Sequence, residues 1–402
     1  VLSLSAVVFA DDLIVDNIGD YPSNTQPSTD MVRVEVPFTK IVDKNGGRDP
    51  GKETFVFEIL RYNISGMADK ITVVNNTIQT NGTLLNREWA RFFHDNGFLV
   101  GISLDGPKDI HDRYRRDKGG LPTFDRVMSG LNILKGEGVE FNTMSTVNHA
   151  CEGRGLETYL FLKEVGSGFM QFMPVVEHVK YPLNGAGKPD RKKRPFIVDP
   201  KTDGAVIAPW SVSDIGFGRF LCDIFDYWVR NDVGRCFVTN FDATLANWVG
   251  EMPGTCTFAQ TCGGNSVIEH NGDLYPCDHF VYKDYLLGNI ADESIAGMMR
   301  SDMQTAFGID KRNKLPVKCL RCEWLFACNG ECPKHRFNTC ESRQGRGGVR
   351  IETGLNALCA GYKMFFSHVA PYMDHMKDLL SRRLAPSYVI PWARSRAVQG
   401  RM

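Results

Sequence analysis

The residues best suited to chemistry are the twelve cysteines, which are unevenly distributed along the chain. None precedes Cys151, and nine lie between Cys256 and Cys359. In a 402-residue chain with its own core, this local density indicates a metal or iron–sulfur site first. Spacing alone leaves three chemistries open, namely iron–sulfur clusters, structural zinc and disulfides. Four of the thiols fall within fourteen residues, in the pattern Cys319-x2-Cys322-x5-Cys328-x3-Cys332.

A predicted hairpin arranges part of this cluster. The pair Asn271-Gly272 stands between two strand-like runs and predicts a two-residue hairpin with a type I′ turn. Such a turn folds the chain back, so that Cys262 and Cys277, at the two ends of the hairpin, come within reach of one metal centre. Asp278 then lies beside that centre.

From about residue 70, the sequence predicts regular secondary structure that could position these residues. Strand-like runs alternate with amphipathic helices between residues 71 and 176, which predicts βαβ units and a parallel sheet. Chemistry in such folds occurs at the C-terminal ends of the strands. The sequence places four residues at those ends: Gln79, Ser103, Asp105 and Pro174.

Other local patterns predict the connections. Asn86 and Thr123 are expected to cap two of the helices. Residues 177–212 are rich in Pro, Gly and Lys and are expected to form a solvated surface loop, and residues 214–232 a helix. After Gly250, Cys, Gly and Asn become more frequent, which predicts a domain boundary.

Composition narrows the function classes. Lys+Arg and Asp+Glu both number 47, so the formal net charge of zero gives no argument for nucleic acid or an anionic membrane as partner. No apolar run reaches the ~18 residues that span a bilayer. Residues 1–12 end like a signal peptide but lack its basic start, and we favour a frayed terminus. Because thiolate clusters suit a reducing compartment, the sequence indicates a cytoplasmic protein.

Several motifs together resemble the anaerobic sulfatase-maturating enzymes, which are radical S-adenosylmethionine enzymes with a C-terminal iron–sulfur (SPASM) domain. The resemblance covers roughly residues 70–380. Its motifs are Gln79-Thr80-Asn81-Gly82; residues 101–107 with His111 and Arg115; Phe172-Met173-Pro174-Val175; Cys277-Asp278-His279; residues 328–336; and Leu358-Cys359-Ala360-Gly361-Tyr362.

The resemblance implies an α/β fold in which a partial (β/α)6 TIM-like barrel precedes a small cysteine-rich SPASM domain. On that basis residues 1–70 form a diverged or aberrant N-terminal segment and residues 71–250 a radical-SAM-like partial barrel. Residues 251–380 form the SPASM domain, and residues 381–402 a C-terminal tail.

The resemblance also implies an activity, the oxidation of a sulfatase Cys or Ser to Cα-formylglycine. The implied cofactors are S-adenosylmethionine, the radical [4Fe–4S] cluster and two auxiliary [4Fe–4S] clusters. By resemblance, one auxiliary cluster is bound by Cys256, Cys262, Cys277 and Cys332. The second is bound by Cys319, Cys322, Cys328 and Cys359.

Four further residues receive roles by resemblance. Asp278 falls at the family's general base, and its carboxylate would accept a proton from the substrate side chain. Gln79, Ser103 and Arg115 fall where family members contact S-adenosylmethionine and the substrate peptide. The implied partners are a sulfatase polypeptide and an electron donor such as flavodoxin or ferredoxin.

One departure from the family pattern leaves other functions open. The family's radical cluster is bound by a CxxxCxxC motif near the N-terminus, whereas no cysteine precedes Cys151 in this sequence. The nearest counterpart of the family's Gly-Gly-Glu-Pro motif is Gly46-Gly47-Arg48-Asp49-Pro50. Two alternatives therefore stand beside sulfatase maturation: a non-catalytic protein that keeps two clusters, and a SPASM enzyme that acts on another peptide.

Overall fold

The described residues divide into two compact units, one that lies within residues 8–75 and one that begins at residue 76. In the smaller unit, strands β1 (Met31–Phe38) and β2 (Glu53–Leu60) form an antiparallel hairpin. The predicted features at residues 1–12 and 46–50 lie outside the described residues. The computed structural model describes residues 31–38, 53–60, 76–185, 187–200, 202–344 and 348–399.

A five-stranded parallel sheet forms the first half of the larger unit. The elements there are β3 (Asn76–Thr80), α1 (Arg87–Asp95), β4 (Phe98–Ser103), α2 (Lys108–Tyr114), α3 (Phe124–Gly136), β5 (Phe141–Val147), α4 (Gly155–Glu164), β6 (Phe169–Pro174), β7 (His178–Lys180), β8 (Phe196–Ile197), β9 (Val206–Ile207), α5 (Asp214–Asn231), β10 (Phe237–Val238) and α6 (Thr239–Val249). The strand order is β3-β4-β5-β6-β10, and all neighbouring pairs are parallel. Helices connect successive strands, so the predicted α/β architecture is confirmed.

The two predicted helix caps behave differently. The Asn86 side chain accepts a hydrogen bond from the Trp89 backbone N–H at 2.9 Å, as expected for a cap of α1. Thr123 precedes α3, but its side chain makes no capping bond, so that prediction is wrong. The Asp112 carboxylate instead accepts from the first backbone N–H groups of this turn, at 2.9 and 3.0 Å, which leaves the Thr123 hydroxyl available elsewhere.

The Thr123 hydroxyl belongs to a buried hydrogen-bond chain that ends on Arg115. The Asp105 backbone N–H donates to His111 Nδ1 at 3.4 Å, so the ring proton lies on Nε2, which contacts Thr123 Oγ1 at 3.1 Å. The Thr123 hydroxyl in turn donates to the Arg115 carbonyl at 2.9 Å. His111 is fully buried, and this burial lowers its pKa to about 4. The neutral imidazole therefore fixes the backbone at Arg115.

The predicted surface loop at 177–212 is partly ordered into strands. β7, β8 and β9 form a small antiparallel sheet in the order β8-β7-β9. The residues of β8 and β9 are all exposed. Periodicity does not reveal strands of two or three residues, because they are too short to show alternation.

The cysteine-rich half consists of short elements followed by one long helix. They are β11 (Val267–Ile268), β12 (Asp273–Tyr275), β13 (Gly288–Asn289), α7 (Ile295–Met299), α8 (Asp302–Asn313), α9 (Val317–Leu320), α10 (Leu325–Cys328), β14 (Asn338–Gln344), β15 (Gly348–Leu355), α11 (Cys359–Ser381) and α12 (Val389–Gln399). The predicted boundary near residue 250 stays a prediction, since both halves belong to one compact unit.

The predicted hairpin forms, but with a different turn. β11 pairs with β12 so that Ile268 faces Leu274, and Glu269 and Asp273 close the loop by a backbone bond of 2.8 Å. Gly272 has a φ of +88°, whereas Asn271 is not among the residues with positive φ. A type I′ turn needs positive φ at both central residues, so the prediction of a two-residue turn is wrong and the loop has three residues with Gly in the left-handed position.

Helix α11 crosses α5 at close backbone contact. A Cβ on Gly361 would lie 1.8 Å from the Asp214 carbonyl oxygen, and one on Gly218 would lie 2.5 Å from the Gly361 oxygen. Within 381–402, predicted as a tail, the structure has α12, with Val389 and Ala393 fully buried. Within the described stretches, no helix has the length and apolar character that crossing a membrane requires.

The buried His111 makes an acid-dependent contribution to stability. Its pKa of about 4 is below the value of about 6.5 for an unfolded histidine, so the unfolded chain binds more protons between these values. We expect the free energy of unfolding to fall by about 3 kcal/mol as the pH decreases from 6.5 to 4 because of this group. In His111→Gln, which keeps one donor and one acceptor, that part of the pH dependence should disappear.

Urea unfolding of the two proteins at several pH values measures this difference. His270→Gln is the matched control, because the His270 side chain is 90% exposed. An acid limb of unchanged size in His111→Gln would contradict the assignment.

Candidate active site and metal centres

The ends of β3 and β4 bring Gln79 and Ser103 together. Gln79 faces Gly101 across the parallel pair, and its Nε2 donates to Ser103 Oγ at 3.1 Å. A Cβ on Gly101 would lie 1.9 Å from Gln79 Oε1, so only glycine lets the amide cross to Ser103. Both side chains are partly exposed at the strand ends, where a ligand can reach them.

Arg115 is held by a buried carboxylate, Asp105, which follows β4 by two residues. Its Nε and Nη2 donate to the two oxygens of Asp105 at 2.6 and 2.9 Å, which is the bidentate geometry of a strong pair. Thr146, in β5, donates to the same carboxylate from its backbone N–H and its hydroxyl, at 2.8 and 2.9 Å. Asp105 is 1% exposed and the Arg115 side chain 25%, so the guanidinium is anchored on one side and open on the other.

The first group of thiols consists of Cys256, Cys262, Cys277 and Cys332. These thiols lie close enough to influence one another's protonation. Burial raises the pKa of the Cys332 thiol well above its usual range, and the nearby thiols of Cys277 and Cys262 raise it further. Burial likewise raises the pKa of Cys277, and Cys256 contributes. Thiols in this state keep their protons until a metal displaces them.

Asp278 and His279 adjoin this group on a 3-10 turn that begins after Cys277. The Cys277 thiol donates to the Asp278 carboxylate at 3.3 Å, and His279 Nδ1 lies 3.5 Å from Cys332 Sγ. Both side chains are exposed. Asp278 therefore contacts a candidate ligand and is accessible to a substrate.

The second group of thiols lines a small cavity of about 30 Å³. Burial raises the pKa of Cys319 to about 11 and that of Cys328 to about 12, with Cys359 close to both. The exposed Lys318 and Lys363 also line the cavity. All four thiols of the group are in its wall: Cys319, Cys322, Cys328 and Cys359.

A three-residue loop connects Cys328, in the second thiol group, to Cys332, in the first. Its three residues, Asn329, Gly330 and Glu331, have φ values of +46°, +75° and +53°. A non-glycine residue in this region costs energy and needs support from its surroundings.

The support for this loop comes from one guanidinium. Arg336 donates to the carbonyl oxygens of Asn329, Gly330 and Glu331 at 2.9, 2.7 and 2.9 Å. It also donates to the Lys311 carbonyl oxygen. The carbonyl oxygens of the three residues with positive φ thus all accept hydrogen bonds from a single cation.

The thiol arrangement fits iron–sulfur clusters. All twelve cysteines lie in the described residues, and all are free thiols. Within the described residues, no three Cys, His, Asp or Glu side chains meet closely enough to hold a single ion. A [4Fe–4S] cluster takes one thiolate per iron, so its ligands surround a volume, as the second group does. Tyr362 also lines the cavity, and its hydroxyl is buried without a hydrogen-bond partner among the described residues.

The structure groups the sequence-predicted residues into three sets: the strand-end set, the first thiols with Asp278, and the second thiols. Across the described part of the chain, we find no hydrogen bond or ion pair that joins Gln79, Ser103 or Arg115 directly to Asp278. Sequence reasoning placed Asp105 at a strand end without a role, and it gave none to Arg336 or Tyr362. The latter two stand in the family motifs, but only the three-dimensional contacts show what they touch.

We expect Arg336→Leu to lower the free energy of unfolding by about 3 kcal/mol, because four buried carbonyls lose a charged donor. The loop between the two thiol groups should loosen, so that a chelator removes iron faster. Urea unfolding and iron release measure the two effects. Arg382→Leu is the control, since Arg382 bonds an exposed carboxylate, and equal behaviour of both variants would contradict the role of Arg336.

Comparisons with known proteins identify the domains and the family of this chain. A model of the radical SAM superfamily matches residues 46–150, and a model of SPASM, an iron–sulfur cluster-binding domain, matches residues 256–323. A serine-type anaerobic sulfatase-maturating enzyme of Bacteroides thetaiotaomicron is 48% identical over 317 residues, which are 79% of this chain and 73% of the relative. A cysteine-type anaerobic sulfatase-maturating enzyme of Clostridium novyi is 31% identical over 309 residues, 76% of this chain and 74% of the relative.

Solved structures agree as well. Native anSMEcpe with bound AdoMet and Cp18Cys peptide superimposes with a TM-score of 0.63 at 27% identity, over 78% of each chain. The radical SAM and SPASM matches indicate iron–sulfur clusters and S-adenosylmethionine as the cofactors of this architecture. Given the 48% identity over most of both chains, the protein belongs to the family of anaerobic sulfatase-maturating enzymes.

Proposed function

We propose that this chain oxidises a Ser or Cys side chain of a sulfatase polypeptide to Cα-formylglycine. The observation that carries the proposal is the position of Asp278, whose exposed carboxylate lies 3.3 Å from the Cys277 thiol, a candidate cluster ligand. A base and an electron acceptor thereby adjoin each other, which an oxidation that removes both protons and electrons requires. Family membership supports the substrate class.

Conversion of serine to the aldehyde removes two electrons and two protons, with one hydrogen lost from the hydroxyl and one from Cβ. With cysteine, the thioaldehyde must then take up one water and release hydrogen sulfide. S-adenosylmethionine, when bound, would supply the group that takes the Cβ hydrogen. Asp278 accepts the proton of the hydroxyl or thiol, because its exposed carboxylate can be reached by a substrate. The clusters, when bound, take up and pass on single electrons. Their proposed ligands are Cys256, Cys262, Cys277 and Cys332 for one cluster, and Cys319, Cys322, Cys328 and Cys359 for the other.

The strand-end set binds the small-molecule cofactor and the peptide in this proposal. Gln79 and Ser103 present an amide and a hydroxyl suited to a ribose or an amino-acid group. The guanidinium of Arg115 is held by Asp105 and presents its remaining N–H groups to a carboxylate or a peptide carbonyl. The hydrogen-bond chain through His111 fixes the backbone beneath it.

The electron carrier is a small acidic redox protein such as a flavodoxin or ferredoxin. Lys318 and Lys363 are exposed at the cavity of the second thiol group and offer it a positive surface. Because free thiols and iron–sulfur clusters persist under reducing conditions, we place the protein in the cytoplasm.

A second candidate function is a non-catalytic protein that binds two clusters and a peptide. The observation that favours it is that residues 1–150 contain no cysteine, so none of them offers a thiol ligand to the radical cluster. The residues present do not fit that third cluster, and we assign no step to it. The alternative in which another peptide is oxidised differs only in the target.

Co-expression with a sulfatase tests the proposed activity. Mass spectrometry of the target peptide should show formylglycine with the wild-type chain and a decrease of at least about tenfold with Asp278→Asn, which removes the base. Asp284→Asn, an exposed acid six residues further along, is the control and should keep full conversion. Unmodified target with the wild-type chain would leave the non-catalytic function as the better account.

Iron counting separates the two candidates independently. After anaerobic purification we expect about eight irons per chain if only the two thiol groups bind clusters, at about four irons each. The double variant Cys319→Ser, Cys359→Ser should keep about four, because it affects the second group alone. About eight irons would fit the non-catalytic two-cluster protein, whereas about twelve in the wild-type chain would show a third cluster, favour the catalytic function and contradict the assignment of ligands to only two clusters.

A further inference from the structure

The hydroxyl of Tyr362 is a buried polar group whose role the proposed function does not explain. Tyr362 lies on α11, three residues after Cys359, and is 1% exposed. Among the described residues its hydroxyl has no hydrogen-bond partner. An unpartnered buried hydroxyl costs about 1–3 kcal/mol, so a structure keeps one only where something compensates it.

The position of the ring leaves the hydroxyl little freedom. The ring packs against Phe217, Phe258 and Phe366, with centroid distances of 5.6, 5.6 and 5.9 Å. The close crossing of Gly361 over α5 fixes the backbone immediately before it. Tyr362 therefore cannot swing out to solvent without breaking an aromatic core.

The hydroxyl is associated with the second thiol group. Tyr362 is part of the wall of the cavity that Cys319, Cys322, Cys328 and Cys359 surround. Tyr362 interacts electrostatically with Cys328 of this group, and also with Glu331 and with Cys332 of the first group. Its hydroxyl carries one O–H donor.

We propose that the Tyr362 hydroxyl donates a hydrogen bond to a sulfur of the second cluster or of its ligands and thereby raises the reduction potential of that cluster. This inference rests on the cluster assignment of the proposed function. The physical reason is that reduction adds negative charge, and a donor to sulfur stabilises the more negative state. Tyr362 is thus a residue that sets a potential rather than a catalytic residue.

The variant Tyr362→Phe removes the donor and keeps the aromatic packing. Tyr372→Phe, ten residues further along α11, is the matched control, since the Tyr372 hydroxyl contacts Arg230 at 3.3 Å and lies outside the cavity wall. Both variants should assemble as much iron as the wild-type chain.

An anaerobic redox titration followed by EPR measures the potentials in the full, cluster-loaded chain. In Tyr362→Phe we expect the reduced fraction of one cluster, at a fixed potential, to fall by about tenfold, which corresponds to ~59 mV for one electron. The other cluster and both clusters of Tyr372→Phe should not change. Equal potentials in the wild-type chain and Tyr362→Phe would overturn the inference.

Pulsed EPR of the reduced cluster in D2O provides a second readout. A proton donated by Tyr362 is exchangeable, so its coupling should disappear in Tyr362→Phe and persist in Tyr372→Phe. A coupling that persists in both variants would assign the donor to water or backbone and overturn the inference. Neither measurement needs formylglycine, so a chain with the shift but without product would contradict the proposed activity alone, whereas a chain without iron would contradict the cluster assignment and this inference together.

Discussion

The short loop between Cys328 and Cys332 constrains the positions of both thiol groups, because Cys328 belongs to the second group and Cys332 to the first. All three intervening residues adopt positive φ. Glycine meets this demand at position 330, where a Cβ would also lie 2.3 Å from Leu315. The strain at Asn329 and Glu331 is offset by bonds to Arg336 and, for the Glu331 carboxylate, to His335 at 2.9 Å. The relative position of the two centres is therefore set by backbone geometry.

At the strand-end site, hydrogen bonds likewise hold the functional group in place, and a carboxylate is their acceptor. Asp105 is buried between β4 and β5 and receives four hydrogen bonds, two from Arg115 and two from Thr146. These four hydrogen bonds compensate the burial of the carboxylate. The outer side of the guanidinium remains open for a ligand. The cysteine-rich half meets the end of β6 through Lys334, which contacts the His279 carbonyl at 3.5 Å and the Glu177 carboxylate at 3.9 Å.

The sequence predicted those features that depend on local pattern. Alternating strands and helices, the Asn86 cap and the hairpin between Cys262 and Cys277 follow from periodicity and turn chemistry. The turn type did not, because Asn271 and Gly272 are compatible with both a two-residue and a three-residue loop. The helix after residue 388 and the strands in 177–212 were missed because their segments are short or carry a weak period. The roles of Arg336 and Tyr362 depend on contacts between distant residues, which no local pattern encodes.

The buried cations of the cysteine-rich half bear on which thiol chemistry it performs. Lys311 is 1% exposed and donates to the carbonyls of Cys256 and Thr257, and Arg336 donates only to carbonyls. Neither forms an ion pair within the described part of the chain, although a buried cation without compensating charge costs several kcal/mol. Disulfides are neutral and would add no compensating charge beside the buried Lys311, whereas thiolate-ligated metal centres are anionic. The two cations thus favour anionic metal centres for residues 256–359. Residues 1–150 contain no thiol, so these cations bear only on the cysteine-rich half.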